Sequence, residues 1–183
     1  MPRDTELHKL CGKNDYDGVV ALLRPSEKEL DVNEPGSGGR TPLHRAIGAN
    51  ADDIVKLLIE KHNADFTKAD STGRTAIHFS VIANNTEILV YIMNKLNKKD
   101  INQITGKKSS ALHLAVNQCS YACLDILLNK FDSDNNRLID TEMKNNDNLT
   151  AYEIAQAKKD STAIGIFRKT GAAATKSGAC ILL

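Results

Sequence analysis

Tryptophan is absent, and aromatic residues make up only 4% of the 183 residues. A deep globular core or a carbohydrate platform draws more heavily on rings, so the 41% hydrophobic content must be buried largely by aliphatic side chains. That content is ordinary, which excludes disorder as the state of the whole chain. Net charge is nearly absent too, at +1, leaving no general electrostatic reason to bind nucleic acid. The longest purely aliphatic and aromatic run, ILVYIM at 88–93, is far short of a membrane-spanning helix. The opening MPRDTELHKLCGKND is too polar for a secretory signal, and Pro2 occupies the position where N-myristoylation requires glycine. Four cysteines (11, 119, 123 and 180) with no export signal read as reduced thiols of the cytosol. Cys11, Cys119 and Cys123 are expected to pack in the core, and only Cys180 falls outside the folded pattern.

What is present is self-similarity. TELH begins at Thr5, TPLH at Thr41, TAIH at Thr75, SALH at Ser110 and TAYE at Thr150, with spacings of 36, 34, 35 and 40 residues. His8, His44, His78 and His113 share one register. Asn14, Asn50 and Asn84 follow nine places after the leading Thr, where a left-handed helix C-cap suits asparagine. A second apolar segment then recurs: VVALL (19–23), IVKLLI (54–59), ILVYIM (88–93), CLDILL (123–128) and AIGIF (163–167). Each has the spacing of a helix with one buried face.

Each unit therefore reads as a turn, a short helix, a tight reversal and a second helix. Thr and Ser hydroxyls are natural N-caps, and Pro42 fits the first helical position, where no backbone N–H is needed. GGR (38–40) and STGR (71–74) supply turn glycines, with Asn148 in the corresponding place later on.

This pattern resembles ankyrin repeats, whose hallmark is TPLH at a period of about 33 residues. GRTPLHRAIGANADDIVKLLIEKHNAD (39–65) carries the likeness most fully, and GRTAIHFSVIANNTEILVYIM (73–93) and SALHLAVNQCSYACLDILL (110–128) extend it. The weaker units from Thr5 and Thr150 fit capping repeats with one solvent-facing side. The resemblance implies an all-α solenoid of about five helix-turn-helix units over residues 3–169, two of them capping. A flexible tail, 170–183, follows. It also implies that the histidines hydrogen-bond between helices and turns of adjoining repeats rather than hold a metal, so no metal or other cofactor is expected.

Other motifs carry less. Asp132, Asp134 and Asn136 open DSDNNRLIDTEM (132–143) like a calcium loop, but Arg137 replaces the turn glycine and Met143 the bidentate glutamate. The segment reads as an insertion that lengthens the last spacing. TGKKSS (105–110) lacks the upstream glycine of a phosphate-binding loop. NNT (84–86) and NLT (148–150) are sequons without the compartment that would use them. No nucleophile, base and oxyanion donor can be assembled, so no catalytic role is assigned.

Solenoids of this kind bind along a concave surface made of turns and first helices. There the sequence places Arg40, Ser71, Thr72, Arg74, Lys107 and, on a first helix, Arg45, a basic edge suited to an acidic protein surface or anionic lipid. Phe79, Ile82 and Leu114 fall on the corresponding first helices and would add an apolar anchor where exposed.

The tail TGAAATKSGA (170–179) is small, polar and glycine-punctuated, a tether of roughly 17 Å on average. Cys180-Ile181-Leu182-Leu183 fits the C-a-a-X prenylation signal, and its final Leu favours geranylgeranyl over farnesyl. Similarity to other such proteins implies a prenyltransferase and processing enzymes as partners, removal of Ile181, Leu182 and Leu183, and methylation of the new Cys180 carboxyl. Lys158, Lys159, Arg168, Lys169 and Lys176 are scattered rather than polybasic, so one lipid implies reversible anchoring. The expected location is the cytoplasmic face of a membrane, with a cytosolic pool. Three alternatives stay open: a PDZ ligand formed by the last three residues, a tail packed back as a hydrophobic cap, and a soluble inhibitor or assembly chaperone resembling the small kinase-inhibitor and proteasome-assembly ankyrin proteins.

Overall fold

The computed structural model describes residues 3–24 and 30–173. Helices come in pairs: α1 (Glu6–Gly12) with α2 (Tyr16–Leu22), α3 (Pro42–Gly48) with α4 (Asp52–His62), and α5 (Ala76–Ile82) with α6 (Thr86–Met93). After the single turn α7 (Lys98–Ile101) come α8 (Ala111–Asn117) with α9 (Tyr121–Leu128) and α10 (Ala151–Ala157) with α11 (Ser161–Lys169). The described residues contain no β-strand, only an isolated antiparallel bridge between Phe131 and Arg137. The fold is thus an all-helical solenoid. First helices α1, α3, α5, α8 and α10 pack in succession, and second helices α2, α4, α6, α9 and α11 form a parallel row behind them.

The reversal between the two helices of each unit is built at one residue in the left-handed conformation. Asn14, Asn50 and Asn84 occupy it with φ of 56°, 53° and 51°. In the fourth unit the same position is Cys119 (φ 56°), and in the fifth it is Lys159 (φ 55°). Cys119 is therefore a turn residue and exposed, not a core residue as its spacing from Cys123 suggests. Cys11 and Cys123 are buried, as expected. Burial pushes their thiols up to about 12 and about 11 respectively, which keeps them protonated and inert.

Because neighbours flank each internal unit, its residues divide between two interfaces. In the third unit Ala76, Phe79, Ile88 and Ile92 join the apolar cluster shared with the first two units. Ile77, Val81, Leu89 and Met93 face the other way, into the cluster completed by the last two units. Leu, Ile, Val and Ala dominate both, which is how a chain poor in rings fills a continuous core.

The 132–143 segment forms a small finger. Asp132 Oδ1 accepts the Asp134 and Asn136 amides at 3.0 and 2.8 Å, closing a turn with its own backbone, while Ile139 is buried beneath it. The described residues contain no helix long and apolar enough to cross a membrane.

Candidate partner-binding surface

The edge of the solenoid is built by a repeated network around the histidines. The ring Nδ1 of His8, His44, His78 and His113 accepts the amide of the Thr or Ser three residues earlier, at 3.1, 3.1, 3.2 and 3.1 Å. An accepting Nδ1 leaves the proton of the neutral ring on Nε2. That N–H reaches into the next turn: His8 donates to the Arg40 carbonyl (3.0 Å), His44 to Lys68 (3.1 Å) and His113 to Leu149 (3.0 Å). In the last unit Glu153 takes over the ring's role and accepts the Thr150 amide at 2.7 Å, an interaction that holds its carboxyl below the usual range. His78 differs. Its Nε2 is buried with no hydrogen-bond partner, and the Gln103 carbonyl facing it lies outside hydrogen-bond geometry. Burial pushes His44 and His78 down to about 4, and lowers His113 as well.

The turn tips are tied together by backbone bonds. Ser71 donates to the Gly38 carbonyl (2.9 Å), Gly106 to Thr72 (2.8 Å) and Asn146 to Lys107 (3.3 Å). Within each turn a polar side chain five residues before the helix cap organises the loop. Asp70 Oδ1 accepts the Thr72 amide, the Thr72 hydroxyl and the Arg74 amide at 2.7–2.9 Å. Burial opposes its ionisation, but those three bonds outweigh it and its pKa is lowered. Asn145 repeats the arrangement with the Asp147 and Leu149 amides. The equivalent of Asp70 in the second unit is Gly36, and the missing acceptor comes from Asp4, whose Oδ1 takes the Ser37 amide at 2.7 Å. A Cβ on Gly36 would stand 2.5 Å from that oxygen and 2.7 Å from His8 Nε2, so glycine is required by close approach.

The residues singled out in the sequence fall into three groups on this surface. Ser71, Thr72 and Lys107 are exposed at the tips, with Arg74 half-buried beside them. Arg40 and Arg45 are partly engaged: Arg45 pairs with Asp4 at 2.7 Å, and the Arg40 Nε lies 3.8 Å from Asp70 Oδ2. Phe79 and Leu114 are only 6% and 9% exposed, and Ile82 is half-buried. The Phe79 ring stacks on His44 (centroids 4.6 Å apart) and lies under the Arg40 guanidinium at 5.4 Å, so it supports charged groups instead of offering a bare apolar anchor. Cys180, Ile181, Leu182 and Leu183 lie outside the described residues.

Sequence reasoning missed Asp4 and Asp70, which hold the arginines and the turns. It also missed Asn33 and Asn102. Asn33 Oδ1 accepts the Asp65 amide at 2.8 Å, and Asn102 bridges the Leu138 carbonyl and the Asp140 amide, each bond 2.8 Å, so both tie a loop to the following unit. Their common setting, two residues after an Asp and directly after a β-branched apolar residue (DVN at 31–33, DIN at 100–102), is the signal that could have found them.

Comparison with known proteins agrees with this architecture. A family model described as ankyrin repeats (three copies) matches residues 7–105 and 62–139, well over half the chain. A human relative, ankyrin repeat domain-containing protein SOWAHD, is 49% identical over 41 residues, which is 22% of this chain and 13% of that protein. The chain thus covers a small fraction of the relative's length. The repeated histidine network, the stacked helix pairs and the family match together make this chain a member of the ankyrin-repeat proteins, a family of protein-interaction modules.

Proposed function

We propose that this chain is a non-enzymatic adaptor that holds a protein partner on its concave face and is itself tethered to the cytoplasmic face of a membrane by a geranylgeranyl group on Cys180. The observation that carries the first half is the continuous edge of turn tips. Backbone bonds fix the tips to one another while Ser71, Thr72 and Lys107 stay exposed, so the surface is rigid before a partner arrives and little ordering entropy is lost on binding. The second half rests on sequence: Cys180-Ile181-Leu182-Leu183 fits the C-a-a-X signal. Cys119 is exposed in the fold, so the assignment stands on the four residues of the signal together and not on the presence of a cysteine alone.

In the reaction a prenyltransferase would activate the Cys180 thiolate, whose sulfur bonds to the first carbon of geranylgeranyl diphosphate and displaces diphosphate. A protease would then remove Ile181, Leu182 and Leu183, and a methyltransferase would esterify the carboxylate exposed on Cys180. One lipid gives marginal membrane affinity, so a cytosolic pool belongs to the proposal. Cell fractionation of the wild type and Cys180→Ser tests it. The wild type should divide between membrane and cytosol and the variant should be cytosolic; identical partitioning would remove the tether.

A further inference from the structure

The adaptor reading leaves the chemistry of the partner open, and the arginines on the concave face bear on it. Arg40 is held but not spent. Its guanidinium rests on the Phe79 ring, which is itself stacked on His44, and its Nε stands 3.8 Å from Asp70, beyond hydrogen-bond length. Among the described residues its side chain donates no hydrogen bond, although it is over a third exposed. An oriented guanidinium with unused donors is a receptor for a planar oxyanion, which it can bind bidentately.

The space in front of it fits an extended chain. Arg40 and Arg45 line two adjoining clefts. One, of about 380 Å³, runs between the turn tips past Ser37, Gly38, Ser71 and Thr72. The other, of about 240 Å³, runs along the first helices over Gly12, Gly48 and Ala49. These small residues leave the floor low: a Cβ on Gly48 would meet nothing within 4 Å. Further along the same edge Arg74, Lys107 and Lys108 make no ion pair among the described residues. Against these five cations the strip sets Asp4 and Asp70, both bound to turn amides, and at its far end Asp147, on the tip tied to Lys107.

We infer that this concave cleft takes an acidic, extended segment of a protein partner, with one Asp or Glu carboxylate seated on Arg40 and further acidic residues running toward Lys107. The inference rests on the adaptor reading. A carboxylate suits the site better than a phosphate, since Asp70 so close to Arg40 repels a second negative charge. The flanking lysines steer the segment and set its direction along the edge.

Fluorescence anisotropy of the purified full chain tests this with a labelled peptide alternating Glu and Ser, a counterpart with Gln for Glu, and one with phosphoserine for Glu. The Glu peptide should bind, lose affinity as salt rises, and outcompete the Gln peptide. Arg40→Gln should weaken it roughly tenfold, and Arg40→Lys, which keeps the charge but loses the fork, severalfold. Phe79→Leu, which removes the ring under Arg40, should also weaken it, and Lys61→Gln on the second-helix row should leave it unchanged. Thermal melts report whether each variant folds; if Arg40→Gln does not, Arg40→Lys and Lys107→Gln decide the matter. Equal binding of the Glu and Gln peptides, affinity indifferent to Arg40, or binding of the phosphorylated peptide alone would overturn the inference. Because the peptide assay is independent of Cys180, its failure is distinct from failure of the tether. Recruitment of a partner in cells that survives Arg40→Gln would likewise sink the acidic preference and leave the adaptor reading standing.

Discussion

The two halves of the solenoid are joined by different chemistry. Among the described residues, the four ion pairs (Lys9–Glu6, Arg45–Asp4, Arg40–Asp70 and Lys56–Glu87) all fall between residues 4 and 87. Beyond that point, among the described residues, no cation meets a carboxylate: neutral pairs such as Asn102 to the 138–140 backbone and Ser120 to the Val81 carbonyl recur, and the cations Arg137 and Lys158 bond neutral oxygens of Thr170 and Asn117. Repeats of one design can evidently be stitched by either means, because the aliphatic core carries most of the stability and the edge contacts mainly fix register. The charged half is also where the arginines converge on the concave cleft. There the same residues that join units one, two and three are available to a partner.

Acid is the largest lever on this comparison. His44 and His78 are neutral in the fold with pKa values near 4, against an ordinary 6.5. Below pH 6.5 the unfolded chain binds protons that the folded chain refuses, so stability falls as pH drops from 6.5 toward 4, by up to about 3 kcal/mol per ring. Asp4 and Asp70 have lowered values as well; for each, burial opposes ionisation, and turn hydrogen bonds, aided at Asp4 by Arg45, outweigh it. Their contribution is present above the ordinary carboxylate range and is lost as pH falls through the folded value. Hydrogen exchange across an acid titration should therefore show the first three units opening before the last two; simultaneous opening would erase the distinction.

Next in size is a glycine contrast. Gly36→Ala drives a Cβ against Asp4 and His8 and should cost about 1–3 kcal/mol, whereas Gly106→Ala, with its nearest neighbour the Thr72 carbonyl oxygen at 3.5 Å, should change stability little. Urea unfolding of both variants measures the gap. A smaller difference separates two histidines. His113 donates to Leu149 and His78 donates to nothing, so His113→Ala should be the more damaging by about 1 kcal/mol, the net worth of one hydrogen bond. Equal losses would mean that the Gln103 carbonyl satisfies His78 in solution. Smallest is Lys56→Met: its pair with Glu87 is 2.6 Å long but exposed, so its removal should leave the urea midpoint almost unchanged and abolish part of the salt sensitivity of the first half.

Much of this was legible because a repeat states each rule several times. The threonine–histidine caps, the left-handed asparagines and the glycine position at Asn148 (φ 60°) each recur in register. What escaped notice came from residues that break the register. Cys119 looked like core by its four-residue spacing to Cys123, yet the position nine residues after Ser110 demands a turn whatever its identity. Lys108 likewise occupies a glycine position at φ 53°. Asp4 and Asp70 were unreadable because their partners, Arg45 and Arg40, lie a repeat away in sequence and meet them only once helices stack. Phe79 shows the same limit: helical spacing put it on a first helix, but only packing reveals that Arg40 covers it.

The tethered-adaptor account is tested most directly by the intact mass of the protein made in eukaryotic cells. It predicts a species lacking Ile181, Leu182 and Leu183 and carrying one geranylgeranyl group and one methyl ester on Cys180. A single species of unmodified full-length mass would contradict it.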